Sequence, residues 1–299
     1  MMEFTESERE CTDGVLVAVD GSPESDAAVA WAGREAVMRH VPVTLMHAIV
    51  PVVVTWPVRY LEADYRRSQE HHARVVLESA ERLVRTPHGG ADLDVRSEVR
   101  HGGAASELIT ASKSAIITAV GSRGLGTVGA GLLGSVSRSL LHYAASPVAV
   151  VPHSTEEVDP SLPVLLGIDG SPASEPATAL AFSEASLRGV DLVALHAWSD
   201  VSAVLPGFTE ASLSEQDGGE ILAERLSGWQ QQFPDVRVIR KVVPDRPAHW
   251  LLETSARAQL VVLGSRGRGG FSRLLLGSVS ARVAASSSVP VIVTAAQRG

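Results

Sequence analysis

The feature that most constrains this chain is a pattern that occurs twice. Val15-Leu16-Val17-Ala18-Val19-Asp20-Gly21-Ser22-Pro23 returns 149 positions later as Val164-Leu165-Leu166-Gly167-Ile168-Asp169-Gly170-Ser171-Pro172. Leu45-Met46-His47-Ala48 returns at the same offset as Ala194-Leu195-His196-Ala197. Gly121-Ser122-Arg123-Gly124, followed after nine residues by Gly134-Ser135, returns 143 positions later as Gly264-Ser265-Arg266-Gly267, nine residues, Gly277-Ser278. The second copy has thus lost six residues in its middle. A repeat of this length means two domains of one fold, and 299 residues are about two domains' worth. The expected division is an acidic tail at 1–12, a first domain at 13–153, a linker at 154–161 and a second domain at 162–299. Pro152, Pro160, Pro163 and the acidic pair Glu156-Glu157 make the joint an extended linker.

Each half alternates strand and helix signals. Continuous apolar runs at Val15–Val19 and Val164–Ile168 predict parallel strands covered on both faces. In the first half the pattern continues with a helix over Ser25–Arg39, a strand over Val43–Ile49, a long helix over Leu61–Thr86 and a strand over Leu93–Val99. A short helix over Ala104–Ser114, a strand over Ala115–Val120, a helix over Ser135–Ala145 and a strand over Val148–Val151 complete it. The second half repeats this with strands at Leu192–Ala197, Val236–Val242, Leu260–Leu263 and Val291–Val293. Its helices are expected at Glu175–Leu187, near Glu220–Gln232, at Pro247–Arg257 and at Ser278–Ser286. The predicted fold class is α/β: two tandem doubly wound domains, each a mostly parallel five-stranded sheet with helices on both faces.

Such sheets bind ligands at the carboxyl ends of their strands, where the strand order reverses. Asp20, the end of the His47 strand and the Gly121 loop all sit at such ends, as do Asp169, Ala197 and Gly264. The glycine loops point to an anion. Gly121 and Gly124 let the backbone turn and approach a ligand closely. A helix opening at Gly134-Ser135 presents unpaired N–H groups and the positive end of its dipole. Ser135 and Ser278 either cap their helices or donate a hydroxyl to phosphate. Arg123 and Arg266 place a guanidinium beside each loop. Asp20 and Asp169 have two readings: an Asx-turn that starts the next helix, or a carboxylate that accepts hydrogen bonds from a nucleobase or ribose. His47 and His196, which close apolar strands, read as satisfied core histidines.

Other classes fit less well. Gly124, Gly126 and Gly129 match a dinucleotide fingerprint, but they follow the fourth strand, and the second copy has Ser272 where the third glycine would be. Neither lysine, Lys113 or Lys241, lies in a glycine loop, so a P-loop is absent. No Gly-x-Ser-x-Gly elbow occurs, and no pair of carboxylates stands out as a water-activating site, so no catalytic residue is assigned. His71-His72, His101 and His142 lack companions at metal spacing, and no protein-held metal is expected. A net charge of -8 and a pI near 5.7 argue against nucleic-acid binding. The single Cys11 allows no internal disulfide and fits a reducing compartment. Residues 1–13 lack the apolar core of a signal peptide. The apolar stretch Val41–Val58 is broken by Pro42, Pro51 and Pro57 and reads as a strand running into a loop, so no membrane span is expected. A cytoplasmic location follows from these expectations.

The strand-end aspartates, the Met46-His47-Ala48 and Leu195-His196-Ala197 strands, and the doubled Gly-x2-Gly-x9-Gly-Ser resemble the universal stress protein family in its tandem form. The resemblance covers nearly the whole chain, and the intact glycines resemble the ATP-binding branch. It implies an adenine nucleotide alpha hydrolase-like fold and one ATP in each half, two per chain, with Mg2+ carried by the phosphates. Asp20, Asp169 and the backbone of Ala48 and Ala197 would contact adenine. Val120, Gly121, Arg123 and Gly124, with Leu263, Gly264, Arg266 and Gly267, would line ribose and phosphates. Gly134, Ser135 and Val136, with Gly277, Ser278 and Val279, would hold phosphates. The resemblance implies a nucleotide-dependent stress or signalling regulator rather than an enzyme, with a slow ATPase or nucleotidyl hydrolase as the alternative. It also implies pairing through the fifth strands, a homodimer, and a protein partner that the sequence does not name.

Overall fold

Among the described residues the chain forms ten strands, and within each half they all run in the same direction. A computed structural model describes residues 14–51, 62–85, 93–125, 132–153, 158–198, 215–267 and 276–294. The chain divides into two compact units, residues 1–153 and 154–299. In the first, the elements run β1 (Val15–Ala18), α1 (Pro23–Arg39), β2 (Val43–Ile49), α2 (Glu62–Arg85), β3 (Val95–His101), α3 (Ala104–Ala111), β4 (Ile117–Gly121), α4 (Ser135–Tyr143) and β5 (Val148–Val151). In the second they run β6 (Val164–Gly167), α5 (Glu175–Arg188), β7 (Leu192–Trp198), α6 (Glu215–Gln232), β8 (Val238–Pro244), α7 (Pro247–Ser255), β9 (Leu260–Gly264), α8 (Ser278–Ser286) and β10 (Val291–Thr294).

The first unit's strands lie in the order β3-β2-β1-β4-β5, and the second unit's in the order β8-β7-β6-β9-β10. The strand pairs within each unit are parallel. The chain moves outward from β1 to β3, then crosses back to place β4 on β1's other side. The crevice between the carboxyl ends of β1 and β4 is therefore the switch point, and β6 and β9 form its counterpart. The α/β expectation holds, as do the ranges of β2, β5 and α8. The boundaries of β3 and β8 differ: each lies two residues later than its apolar pattern. Leu93 and Val236 are buried but precede the ladder, while β3 itself is largely exposed and β8 fully buries Val243 alone. Alternation in a mixed strand marks burial before it marks pairing.

Strands β4 and β9, each inside its unit's sheet, are buried throughout. Helices α1 and α2 pack against each other over β1 and β2, while α3 and α4 pack against each other. In the second unit Phe182 of α5 stacks with Trp229 of α6 and meets Phe233. Each unit also buries one glutamate against an arginine a turn further on: Glu35 with Arg39 in α1, at 2.7 Å, and Glu184 with Arg188 in α5. The charged heads partner within their own helix, which makes their burial tolerable. The C-caps of α1 and α5 are His40 and Gly189, both in the left-handed region at φ 55° and 63°.

Two stability outcomes follow. Glu184→Ala should cost about 3 kcal/mol in urea denaturation, because it strands a nearly buried arginine. His40→Gly should stabilise by about 1 kcal/mol, because glycine carries no Cβ penalty at this cap.

Candidate functional site

A parallel strand that stops leaves its last backbone groups unpaired, and here short polar turns take them over. After β1, Asp20 Oδ1 accepts hydrogen bonds from the Ser22 backbone N–H at 2.9 Å and from the Ser22 hydroxyl at 2.6 Å. Ser22 caps α1 by accepting from Ser25 N–H at 3.2 Å. Ser25 in turn accepts from the Asp20 N–H at 3.1 Å. After β6, Asp169 Oδ1 accepts from Ser171 N–H and hydroxyl at 2.9 and 2.7 Å. The Asx-turn reading is therefore correct in both halves, but it engages one carboxylate oxygen only. The other oxygen is directed at the glycine loop: a Cβ built on Gly124 would lie 2.5 Å from Asp20 Oδ2, and one on Gly267 2.8 Å from Asp169 Oδ2. Glycine at these places allows strand end and loop to close on each other.

The glycine loops are pinned to their strands in the same way in both units. Gly134 N–H donates to Ser122 O at 2.9 Å and Gly277 N–H to Ser265 O at 2.7 Å. Ser137 Oγ donates to Gly121 O at 2.7 Å, and Ser280 Oγ to Gly264 O at 2.6 Å. These four bonds hold the N-termini of α4 and α8 against the ends of β4 and β9. Sequence reading passed over Ser137 and Ser280. The signal was present, since Gly-Ser-Val-Ser stands in both copies. One expectation needs correction. Ser135 and Ser278 do not cap; Gly134 and Gly277 are the N-cap residues, and neither helix has a side-chain cap bond. A glycine cap leaves the first N–H groups open to whatever occupies the crevice.

In the first unit these pieces enclose a cavity of about 470 Å3. Asp20, Ala48, Val120, Gly121, Arg123, Gly124, Gly134, Ser135 and Val136 all line it, so the nine positions expected in this half converge. Met46, Ala104, Leu108 and Leu125 add an apolar wall. His47 lines it too, and its Nδ1 donates to Val19 O at 2.7 Å, a carbonyl being able only to accept. His196 repeats this with Ile168 O at 2.8 Å. In the second unit Ala197 stands next to the last residue of β7, and Leu263 and Gly264 end β9. Arg266 and Gly267 follow that strand, while Ser278 and Val279 open α8. Gly126, Gly129 and Ser272 lie outside the described residues, as does Cys11.

Electrostatics in the first crevice are uneven. Arg123 Nε lies 3.3 Å from Glu24 Oε1, in the first turn of α1. Partial burial pushes the Asp26 carboxyl above the ordinary aspartate value, the Asp20 charge adds to this, and His153 opposes it. Among the described residues, no group of three or more His, Cys, Asp or Glu is placed to hold a metal ion. Nor is any helix long and apolar enough to cross a membrane.

The model of the universal stress protein family matches residues 12–152 and again 162–295. The chain belongs to the universal stress protein family. A universal stress protein of Mycolicibacterium smegmatis is 54% identical over 283 residues, covering 94% of this chain and 96% of its own. One from Mycobacterium tuberculosis is 48% identical over 285 residues, with coverage of 94% and 96%. A universal stress protein structure from Archaeoglobus fulgidus matches with a TM-score of 0.71 at 22% identity, over 94% of this chain and 98% of that one. At that identity it supports the fold alone. The tandem arrangement read from the repeat is thus that of whole family members, in which a universal stress domain occurs once per half.

The burial of Asp26 gives a titration outcome. Its raised pKa means that the folded state binds a proton more tightly than the unfolded one, so this contribution to stability is present below about pH 3.8 and lost as pH rises through the folded value. Carboxyl-carbon NMR should find Asp26 titrating above 3.8, and Asp20→Asn should lower its midpoint.

Proposed function

We propose that this universal stress protein binds ATP, one molecule in each unit, and acts as a nucleotide-dependent stress or signalling regulator. The observation that carries this reading is the convergence at one switch point of a carboxylate, a glycine cradle, an arginine and a glycine-capped helix N-terminus. The cavity of about 470 Å3 is within the range of small-molecule sites. Its apolar side, formed by Met46, Leu108 and Ala48, suits a flat base. Asp20 Oδ2 suits a donor on the base or ribose, since Oδ1 is already committed to Ser22. Gly121, Gly124 and the open N–H groups of Ser135 and Val136 suit phosphate oxygens, with Arg123 beside them. A divalent ion would ride on the phosphates, because they supply the hard oxygen ligands it prefers.

The second unit supports the same reading through Asp169, Gly267, Gly277 and Ser280, whose local geometry repeats that of the first. Occupancy of either site would bias whichever conformation holds the glycine loop against its strand end, which is how a bound nucleotide becomes a signal. Asp20 Oδ1 is committed to the turn into α1, and His47 Nδ1 to the Val19 carbonyl beyond β1. Pairing into homodimers and an intracellular site of action belong to the same proposal.

Freshly purified protein should release ATP, detected by mass spectrometry, at about one molecule per unit. Gly124→Glu and Gly267→Glu should each remove about half of it, because the added carboxylate meets Asp20 or Asp169 and repels phosphate. An absence of nucleotide that persists after adding ATP would overturn the reading, and ADP alone would favour the hydrolase alternative.

A further inference from the structure

The two crevices differ at a charged position beside the arginine. In the first unit Glu24 stands in the opening turn of α1, against the glycine that ends β4. A Cβ on Gly121 would lie 2.8 Å from Glu24 Cβ and 2.7 Å from its carbonyl carbon. From there Glu24 reaches Arg123, with Oε1 3.3 Å from Nε. The carboxylate is well covered, its side chain being 16% exposed, and it stands behind the cavity-lining arginine. The same place in the second unit is Ala173. A Cβ on Gly264 would lie 3.2 Å from the Ala173 carbonyl oxygen, so the backbone meets the strand end as before, without a carboxylate. The next charged positions along the chain do not compensate, since Asp26 in one unit corresponds to Glu175 in the other. Correspondingly, Arg266 Nε is buried without a hydrogen-bond partner among the described residues.

A buried guanidinium N–H without an acceptor is costly. An anion that supplies the acceptor recovers that cost on binding. A guanidinium already facing a carboxylate gains less from phosphate, and it brings an uncompensated negative charge close to it. We propose that Glu24 is a positioning and specificity residue that makes the two sites unequal: the second unit holds phosphate-rich nucleotides more tightly, and the first discriminates less between nucleotides of different charge. The inference rests on the nucleotide-binding reading above. It extends that reading by assigning the difference between the sites to one residue acting through Arg123. A chain with two such sites responds to ATP over two concentration ranges, the second unit filling first.

The test is calorimetric titration of the full chain with ATP, and with adenosine as a ligand without phosphate. Wild type should show two ATP classes about tenfold apart, the scale of one charge-assisted hydrogen bond. Glu24→Gln, which keeps the shape and removes the charge, should tighten the weaker class toward the stronger. Ala173→Glu should weaken the stronger class toward the weaker. Neither should change adenosine binding by more than about twofold, a readout that a general effect on folding would not spare. Two equal ATP classes, or classes that ignore both substitutions, would overturn the inference while leaving nucleotide binding intact. Adenosine and ATP shifting together would overturn it too. No binding of either ligand would overturn the nucleotide reading itself.

Discussion

Ser137 Oγ donates to the carbonyl of Gly121, and Gly134 N–H donates to the carbonyl of Ser122. With these two bonds the end of β4 and the beginning of α4 become one rigid piece. A strand's last carbonyls need partners, and a helix's first N–H groups need acceptors. The bonds satisfy the former without spending all of the latter. A side-chain cap on α4 would have closed the site. Gly134 caps with no side chain, so the N–H groups beyond it stay directed toward the cavity. The same two bonds recur at Ser280 and Gly277 in the second unit.

Around that joint the rest of each unit serves as support. The parallel order β3-β2-β1-β4-β5 brings the ends of β1 and β4 together because the chain reverses direction across the sheet at that point. Burial holds the strands in register, so Asp20 and Gly124 come so close that an added Cβ would lie 2.5 Å from Asp20 Oδ2. Asp20 then carries two tasks with its two oxygens. Oδ1 closes the turn into α1 through Ser22, and Oδ2 looks across at the loop. The alternative readings of this aspartate, turn residue and ligand contact, are thus compatible at one side chain.

Duplication leaves room for divergence because each unit completes its own core. Buried pairs such as Glu35–Arg39 and Glu184–Arg188 are kept in both, and so is each strand-end histidine. The crevice charges are not kept alike: Glu24 faces Arg123, while Ala173 offers Arg266 no carboxylate. The backbone of Ala173 still meets Gly264, although the turn there is a 3-10 turn and α5 begins only at Glu175.

Sequence alone determined the tandem α/β architecture, because an offset repeat and the alternation of apolar strands with helical periodicity require no knowledge of contacts. It also located nine positions that line one cavity, since strand ends and glycine loops are punctuated by residue types with few other uses. Tertiary structure decided the rest. That Gly134 rather than Ser135 caps α4 depends on a backbone angle that composition does not encode. That β3 begins at Val95 rather than Leu93 depends on which backbone groups find a neighbour, since the side chain of Leu93 is buried either way. The pairing of Glu24 with Arg123 spans about a hundred residues of chain, and only folding brings the two charges to 3.3 Å. Periodicity records which face of an element is dry; which distant charges meet is set by the packing of elements that the sequence separates.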